Sequence, residues 1–454
     1  MSVTSTPGSK RDRLTFLVVL AAVFLSHAAS RNITSYDSVW TIHSSMSLVR
    51  EGNLDLNEYE DRLAEQDYRE VFEHEGRMFL VHPPGTSFVL APLVWLADES
   101  LHFLGGIGAV KEFIEARTVE PVSMDAVSLY KGVEMVLASF VVALTSAILF
   151  LVLRRMTGFQ GSLILVLFFA FCTPAWSSAS RGLWSHDIGM LIMVLTLLTI
   201  TTGEKRPAPL FFNGIALAFS FEVRPTNAIP SAVLGLYMIL TLRRRAIPLV
   251  IGGLAGAIGV VTFNLASFGM PLIPYYSGKL GLHPAFFEAL AGSLISPNRG
   301  LLVFCPVFIL ALSGLRKTLL SDAHGLLFRF MGVIVLLHWI TIALFDRWIG
   351  GHSYGPRLFT DALPFLVLFL VPFYERMRSS GGVRRVLMQT AFITLLVVGF
   401  AIHWAGANRW SAMEWNARPF DIDGNTWRVW DSSDLQIAAA LRGHVRESTT
   451  VQGE

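Results

Sequence analysis

Long apolar blocks separated by short polar connections dominate the pattern along this chain. The blocks lie at about 14–30, 132–153, 161–176, 187–202, 209–221, 227–242, 246–264, 300–315, 328–345, 358–374 and 387–403. Most approach the length of about 20 residues with which an α-helix crosses the hydrocarbon core of a bilayer. The pattern therefore predicts an all-α polytopic membrane protein with about eleven transmembrane helices.

The connections between the blocks alternate in character, and every second one is basic. The basic connections are 9–13 ("SKRDR"), 154–155, 204–206, 243–245, 315–317 together with Arg329, and 375–385. Because Lys and Arg next to membrane spans stay on the cytoplasmic side, the amino terminus is predicted to be cytoplasmic. The segments predicted to face away from the cytoplasm are then 31–131, 174–187, 222–226, 265–299, 346–357 and the tail from 404.

Composition narrows the class of protein further. Of 454 residues, 53% are hydrophobic and 15% are charged, which is too apolar for a soluble globular chain. The net charge of +2 is uninformative, but the sequence has no basic stripe interleaved with aromatic residues, so nothing in it indicates a nucleic-acid partner. Cys172 and Cys305 lie within or beside apolar blocks without metal-ligand spacing, so they are interpreted as small packing residues with no disulfide.

The first apolar block admits two interpretations. "KRDR", a modest apolar run and "SHAAS" also match a cleaved signal peptide, and this alternative stays open. A membrane span is favoured because the run continues directly into an aromatic and acidic segment, "SYDSVW", at 35–40. Asp37 is predicted to lie outside the cytoplasm in either case.

The first outer segment contains two further patterns. Ile42, Met46 and Val49 recur at the spacing of one helix face, which predicts a short helix on the membrane surface that ends at Gly52. Further on, "HPP" at 82–84 precedes an apolar run that is short for a full span. This run is predicted to be a re-entrant or interfacial element.

An acid just after the first span, a surface helix and then "HPP" before an apolar run resemble the protein O-mannosyltransferase-like branch of the GT-C glycosyltransferases. The motif match covers roughly the first hundred residues, and beyond them the likeness is one of general architecture. The resemblance implies a GT-C-type membrane enzyme with a long first outer loop that uses a polyprenyl-phosphate-linked sugar.

The chain departs from the pattern of that family at two positions. The family often has paired acids after the first span, whereas Asp37 stands here between Tyr36 and Ser38. The family's lysine after "HPP" is replaced by Ser87. The first departure leaves a divalent metal open, and the sequence predicts no other cofactor and no metal-binding residue.

The candidate site residues follow from the chemistry of sugar transfer outside the cytoplasm. A carboxylate must take the proton from the acceptor hydroxyl, and Asp37 is the candidate general base. Cations must hold the departing phosphate, and the candidates are Arg357, His352, Arg224, Arg181 and His186. The candidate substrate-binding residues are His82, Tyr36 and Lys279.

Each of these residues also has a structural interpretation that stays open. Asp37 could be a helix cap or an ion-pair partner, the arginines could be members of structural ion pairs, and His82 could fix the turn before Pro83. The three glycines of "WIGGHSYGPR" at 348–357 are interpreted as allowing the backbone to approach a ligand closely. The segment 265–299, which contains Lys279, could be a lid over a lipid groove or a plain interfacial loop.

The tail from 404 to 454 is separated from the transmembrane catalytic domain, 1–403. Its tryptophans are interpreted as an interfacial belt in preference to a sugar-stacking surface; they are Trp410, Trp415, Trp427 and Trp430. A surface helix is predicted near "DLQIAAALRG" at 434–443, followed by a disordered terminus.

Together, the residues and the resemblance predict a membrane-embedded, inverting glycosyltransferase in a bacterial or archaeal cell membrane. Its expected partners are the polyprenyl-phosphate sugar donor, a glycan, lipid or protein acceptor, and the lipid bilayer. The alternatives are a transporter or flippase for a lipid-linked glycan, and a glycan polymerase or ligase with a diphosphate-linked donor. A transporter is disfavoured because the ionisable residues crowd one predicted face, whereas transporters carry them at mid-bilayer depth.

Overall fold

The computed structural model describes residues 8–34, 38–64, 71–104, 126–272, 280–312, 319 and 325–445. Helices account for most of this part of the chain, as the sequence predicts. The strands among the described residues are β1 (Val71–His74) and β2 (Arg77–Leu80), which pair antiparallel with Val71 opposite Leu80. The sequence analysis did not predict this hairpin.

The α-helices are numbered here in chain order. They are α1 (Lys10–Ala28), α2 (Val39–Arg50), α3 (Glu60–Ala64), α4 (Gly85–Leu104), α5 (Ala126–Met156), α6 (Phe159–Phe171), α7 (Pro174–Ser177), α8 (Ser185–Thr202), α9 (Pro207–Val223), α10 (Ala228–Leu242), α11 (Ile247–Phe268), α12 (Phe286–Ile295), α13 (Leu301–Phe304), α14 (Gly325–Leu344), α15 (Leu363–Leu368), α16 (Val371–Ser379), α17 (Gly382–Asn408), α18 (Ser411–Glu414) and α19 (Gln436–Arg442). Short 3-10 helices occupy Asn57–Tyr59, Ala179–Arg181, Pro225–Asn227, Arg243–Ala246, Pro306–Ala311, Arg357–Ala362 and Thr426–Trp430.

Seven helical segments of the described residues are long and apolar enough to cross a membrane. They are Lys131–Met156, Phe159–Ser177, Ser185–Thr202, Pro225–Phe268, Gly325–Leu344, Arg357–Ser379 and Gly382–Asn408. The segment Pro225–Phe268 contains both α10 and α11, which are separated at Arg243 by a left-handed backbone conformation (φ +53°). The coarse prediction of a helical chain with several apolar helices is confirmed, and the count of eleven spans stays a prediction.

The predicted span at 300–315 is not one continuous α-helix. The block at 300–315 contains α13 and then the 3-10 helix Pro306–Ala311, and the two are separated at Cys305. Pro306 has no N–H to continue the hydrogen bonding of α13, and its ring disfavours helical backbone at the residue before it. A proline in the apolar run therefore interrupts the helix.

The helix predicted from Ile42, Met46 and Val49 is present as α2. Ile42 and Met46 are each 1% exposed and belong to the main hydrophobic core, whereas Val49 is 37% exposed. Two of the three residues therefore pack against protein, where the sequence analysis expected contact with lipid. Helix α4, which follows "HPP" and contains Pro92, packs against α2.

Helices α9 and α11 pack together with their backbones in direct contact. A Cβ atom at Gly214 of α9 would lie 2.0 Å from the carbonyl oxygen of Leu249, and one at Gly252 of α11 would lie 2.0 Å from that of Phe211. Neither position has room for a side chain, because backbone cannot move aside as a flexible side chain can. Small residues at such contacts allow helices in membranes to approach closely.

We expect Gly252→Ala to lower the free energy of unfolding by at least about 2 kcal/mol, since the new methyl group forces α9 and α11 apart. The matched control is Gly259→Ala in the same helix, where a Cβ atom meets nothing within 4 Å. Thermal unfolding in detergent compares the two variants. Equal melting temperatures would show that the close contact contributes nothing to stability.

Candidate functional site

A pocket with a cavity volume of about 90 Å³ lies where several helices begin or end. We call it the arginine pocket, because Arg224 and Arg357 both line it. Its other basic lining residues are His82, His186 and His338. Its hydroxyl-bearing lining residues are Ser38, Thr41, Thr86, Ser87, Ser185, Thr226 and Thr341.

Helix connectivity explains why distant residues meet in this pocket. His186 lies in the first turn of α8, and Arg224 follows directly after the last residue of α9. Helices α8 and α9 are joined by the short connection 203–206 and pack side by side. The first turn of α8 therefore lies beside the last turn of α9. His82 follows the hairpin, and Arg357 begins the 3-10 helix that contains Asp361.

Asp361 joins two of the pocket's basic side chains. Its Oδ1 atom lies 2.8 Å from His186 Nδ1, and its Oδ2 atom lies 3.1 Å from Arg224 Nε. Asp361 and His186 are 4% and 2% exposed. A buried carboxylate is costly unless it is paired, so this arrangement holds both basic groups in one orientation.

The two arginines are held by further contacts. Arg224 donates from Nε to Thr226 Oγ1 at 3.0 Å and from Nη1 to Ser185 Oγ at 3.1 Å. The guanidinium carbon of Arg357 lies 4.4 Å from the ring centroid of Trp184, in a cation–π contact. Such contacts orient the planar guanidinium group of each arginine.

Glu134 of α5 connects the residue after Asp37 to the pocket wall. Its Oε1 atom accepts hydrogen bonds from Ser38 Oγ and from the backbone N–H of Leu183, the second at 2.7 Å. Ser38 and Leu183 both line the arginine pocket. The buried Glu134 carboxylate therefore fixes the position of the chain at Ser38.

Three of the residues predicted from the sequence lie outside the described residues. Asp37, the candidate base, and Tyr36 directly precede Ser38 in the chain, and Lys279 directly precedes Leu280. Ser38 and Leu280 line the arginine pocket. The roles assigned to these three residues stay predictions.

Arg181 was predicted to bind phosphate, but it does not line the arginine pocket. It is fully buried and donates to the backbone carbonyl oxygens of His27 and Asn32 and to Ser139 Oγ. Burial lowers its pKa to about 9, although the carboxylate of Asp187 opposes the shift. Arg181 therefore remains protonated at neutral pH and connects α1, α5 and the segment before α8.

His352 was also predicted to bind phosphate, and it too lies outside the pocket lining. Its Nε2 atom is 2.8 Å from Asp421 Oδ2 in the tail. His352, Asp421 and Asp423 each offer one ligand atom within 4.8 Å of the others, so among the described residues this group could hold a metal ion. Both acids are exposed to solvent.

The glycine-rich segment that precedes Arg357 is held by a buried arginine. All five N–H donors of Arg299 are used, and the acceptors are the carbonyl oxygens of Asn298, Ile349 and Gly351 and the side-chain oxygens of Asn416 and Gln436. Burial, with the positive charges of Arg357 and Arg428 nearby, lowers the pKa of Arg299 to about 9. Arg299 thus connects the segment 349–351 to the tail.

The glycines of "WIGGHSYGPR" serve the fold in a way that the sequence analysis did not predict. Gly350, Gly351 and Gly355 have φ angles of +75°, +59° and +63°, which other residues rarely adopt. A Cβ atom at Gly355 would lie 2.5 Å from the ring of Phe304. These glycines are required by backbone conformation and packing, whether or not a ligand approaches.

The tail is largely folded over the described residues 409–445. Trp415 is fully buried, and its ring lies 4.1 Å from the guanidinium carbon of Arg428. Trp427 and Trp430 are 55% and 37% exposed. The predicted helix near 434–443 is α19. Trp415 is therefore a core residue, and the disorder predicted for the end of the tail falls on 446–454, outside the described residues.

Sequence reasoning assigned no role to Asp361, His338, Glu134 or Trp184. His338 lies within the apolar block 328–345, and an ionisable residue inside such a block is itself a signal of a functional or paired position. Asp361 and Glu134 lie close to the ends of apolar blocks and carry the same signal. The partners of Asp361 and Glu134 are more than 40 residues away in the chain, so the local spacing of residues does not predict these pairs.

Comparison with protein-family models gave no match, and comparison with curated proteins gave none either.

We expect Arg299→Lys to lower the free energy of unfolding by about 2–5 kcal/mol, because three N–H donors replace five and buried acceptors lose their partners. Arg347→Lys is the matched control, since Arg347 is exposed. Thermal unfolding of both variants in detergent makes the comparison. If Arg299→Lys and the control have the same melting temperature, the buried hydrogen bonds of Arg299 do not stabilise the tail.

Proposed function

We propose that this protein is a GT-C-type membrane glycosyltransferase that transfers a sugar from a polyprenyl-phosphate-linked donor to a glycan, lipid or protein acceptor. The observation that carries the proposal is the convergence of Arg224, Arg357 and three histidines in one pocket at the ends of apolar helices. Guanidinium groups match phosphate oxygens with paired N–H donors, and their positive charge stabilises a departing phosphate.

The remaining lining of the arginine pocket fits a donor with both a polar and an apolar part. Hydroxyl groups suit the hydroxyls of a sugar, because each can donate or accept a hydrogen bond. Leu80, Leu280, Ile342 and Phe345 line the same pocket. These apolar side chains suit the first isoprene units next to the phosphate.

The acceptor hydroxyl must lose a proton as it attacks the sugar carbon, and Asp37 is the proposed general base. Ser38, the next residue, lines the arginine pocket and is tied to its wall through Glu134. The short chain distance between Ser38 and Asp37 supports this role. A single attack by the acceptor on a phosphate-linked sugar inverts the configuration at the sugar carbon.

The orientation in the membrane is part of the proposal. His186 lies in the first turn of α8, and the basic connection 204–206 follows the other end of this helix, about 27 Å away for 18 residues. If basic connections face the cytoplasm, the arginine pocket faces the opposite side. Nucleotide sugars are not supplied there, which favours a lipid-linked donor. Eleven spans in a bacterial or archaeal cell membrane complete the proposed topology.

We expect Arg357→Lys to slow sugar transfer from a radiolabelled polyprenyl-phosphate sugar by roughly 10- to 100-fold, because one charge remains but the paired donors are lost. Transfer in membranes that contain the variant measures this, with Arg347→Lys as the exposed control. Unchanged transfer by Arg357→Lys would remove Arg357 from the phosphate site. Movement of the lipid across the membrane without sugar transfer by the parent protein would instead favour a flippase.

We expect Asp37→Asn to reduce single-turnover transfer by roughly 10²- to 10⁴-fold, the usual contribution of a positioned base, with donor binding near that of the parent. Thermal unfolding in detergent is measured alongside, because loss of a cap or an ion pair would lower stability and activity together. A folded variant that binds donor and transfers sugar at the parent rate would exclude Asp37 as the base.

A further inference from the structure

His186 presents one ring nitrogen to its carboxylate partner and leaves the other for a ligand. An ionised carboxylate accepts hydrogen bonds only, so Nδ1 carries the proton that is shared with Asp361 Oδ1. Within the described part of the chain, no protein group hydrogen-bonds to Nε2, and His186 lines the arginine pocket. This is the arrangement in which a carboxylate fixes the tautomer of a histidine that transfers protons.

Three other basic groups of the pocket, His338, Arg224 and Arg357, differ from His186 in this respect. His338 Nε2 hydrogen-bonds to the backbone carbonyl oxygen of Leu358 at 2.8 Å. Arg224 and Arg357 are guanidinium groups, which do not give up a proton at physiological pH. Of these four groups, His186 therefore has the geometry that is best suited to carry a proton to a ligand.

The charges around His186 depend on what occupies the pocket. At the pocket end of α8, the charged and titratable side chains of the surrounding elements include Glu134, Arg181, Asp187, Glu222, Arg224, Arg357, Asp361, His82 and His338. Asp361, the acid in direct contact with His186, is shared with Arg224, and Arg357 adds a second positive charge. A third positive charge, on His186, is unfavourable in the empty pocket, and a bound phosphate anion removes that obstacle.

We propose that His186 takes up a proton when a phosphate-linked donor binds and passes this proton to the departing phosphate oxygen during transfer. Asp361 is the positioning residue, which holds Nδ1 and stabilises the protonated ring. The inference rests on the proposed function, because it assumes a phosphate group in the arginine pocket.

The bonds and protons of the step balance. The acceptor oxygen forms a bond to the sugar carbon, and the bond from that carbon to the phosphate oxygen breaks with its electron pair remaining on the phosphate. The acceptor's proton goes to the general base, and the Nε2 proton of His186 goes to the phosphate oxygen. The polyprenyl phosphate thus leaves as a monoanion instead of a dianion, and His186 returns to its neutral form.

The test uses the full-length protein in detergent and the methyl diester of farnesyl phosphate as the probe. A diester keeps one negative charge throughout the range from pH 6 to 8, so the ligand itself does not titrate. Isothermal titration in buffers of different ionisation enthalpy counts the protons taken up on binding. We expect the parent to take up close to one proton on binding. Its Kd for the diester should then increase by up to about tenfold for each unit by which the pH is raised, in the range where a full proton is taken up.

Two variants test which residue takes up the proton, and a third variant serves as the control. We expect proton uptake to fall close to zero in His186→Gln and to be reduced in Asp361→Asn, with the pH dependence of Kd flattened in both. His74→Gln is the matched control, because His74 lies in β1 and outside the pocket lining. It is expected to retain both the uptake and the pH dependence.

The outcomes separate this inference from the proposed function. If the folded parent does not bind the diester, the phosphate site and the proton transfer are both excluded. If the parent binds the diester without taking up a proton, His186 has no such role, even if His186→Gln fails to fold. Uptake that persists unchanged in folded His186→Gln also overturns the inference and moves the proton to His82 or His338.

Discussion

The contacts of Asp361 are the interaction on which the arginine pocket depends. This carboxylate joins the start of α8, through His186, to the end of α9, through Arg224, and it belongs to the 3-10 helix that Arg357 begins. Breaking a buried pair by removal of one partner typically costs about 3–5 kcal/mol, because the other charge stays buried. One residue therefore holds three separate elements together, and its contacts position His186 and Arg224 at the pocket.

Buried arginines perform a different task in the scaffold around the pocket. Arg181 and Arg299 donate to neutral acceptors, which are backbone carbonyl oxygens and side-chain oxygens, and neither forms an ion pair among the described residues. Burial lowers the pKa of each to about 9, so both stay charged at neutral pH. Irregular segments at the ends of helices leave carbonyl oxygens without partners, and an arginine can serve several of them at once.

The tail contributes to the same region through Arg299. Asn416 and Gln436 accept from its guanidinium group, and Gln436 also donates to the carbonyl oxygen of Ser353. The segment that leads to Arg357 is consequently packed between the core and the tail. Placement of Arg357 over Trp184 thus rests on contacts that extend well beyond the pocket.

The periodicity and length of the apolar blocks predicted most of the helices, because burial of apolar side chains dictates helix position locally. The short helix α2 and the tail helix α19 were predictable for the same reason. The β1–β2 hairpin, whose strands are only 4 residues long each, was not predicted. Pro306 interrupts the helix within an apolar block that hydropathy alone presents as continuous. Ionisable groups beside membrane spans are unfavourable unless they are paired or face a cavity. This rule identified four candidates that line the pocket: His82, His186, Arg224 and Arg357.

The sequence by itself determined where helices form and which ionisable side chains lie at their ends. It did not distinguish the phosphate-site candidates Arg224 and Arg357 from the scaffold residue Arg181, because all three look alike in local context. Only the tertiary structure decided which of them share a pocket, and it brought Asp361 to His186 across 175 residues of chain. Electrostatic pairing and desolvation depend on distances between elements that are remote in sequence, and those distances exist only once the helices have packed.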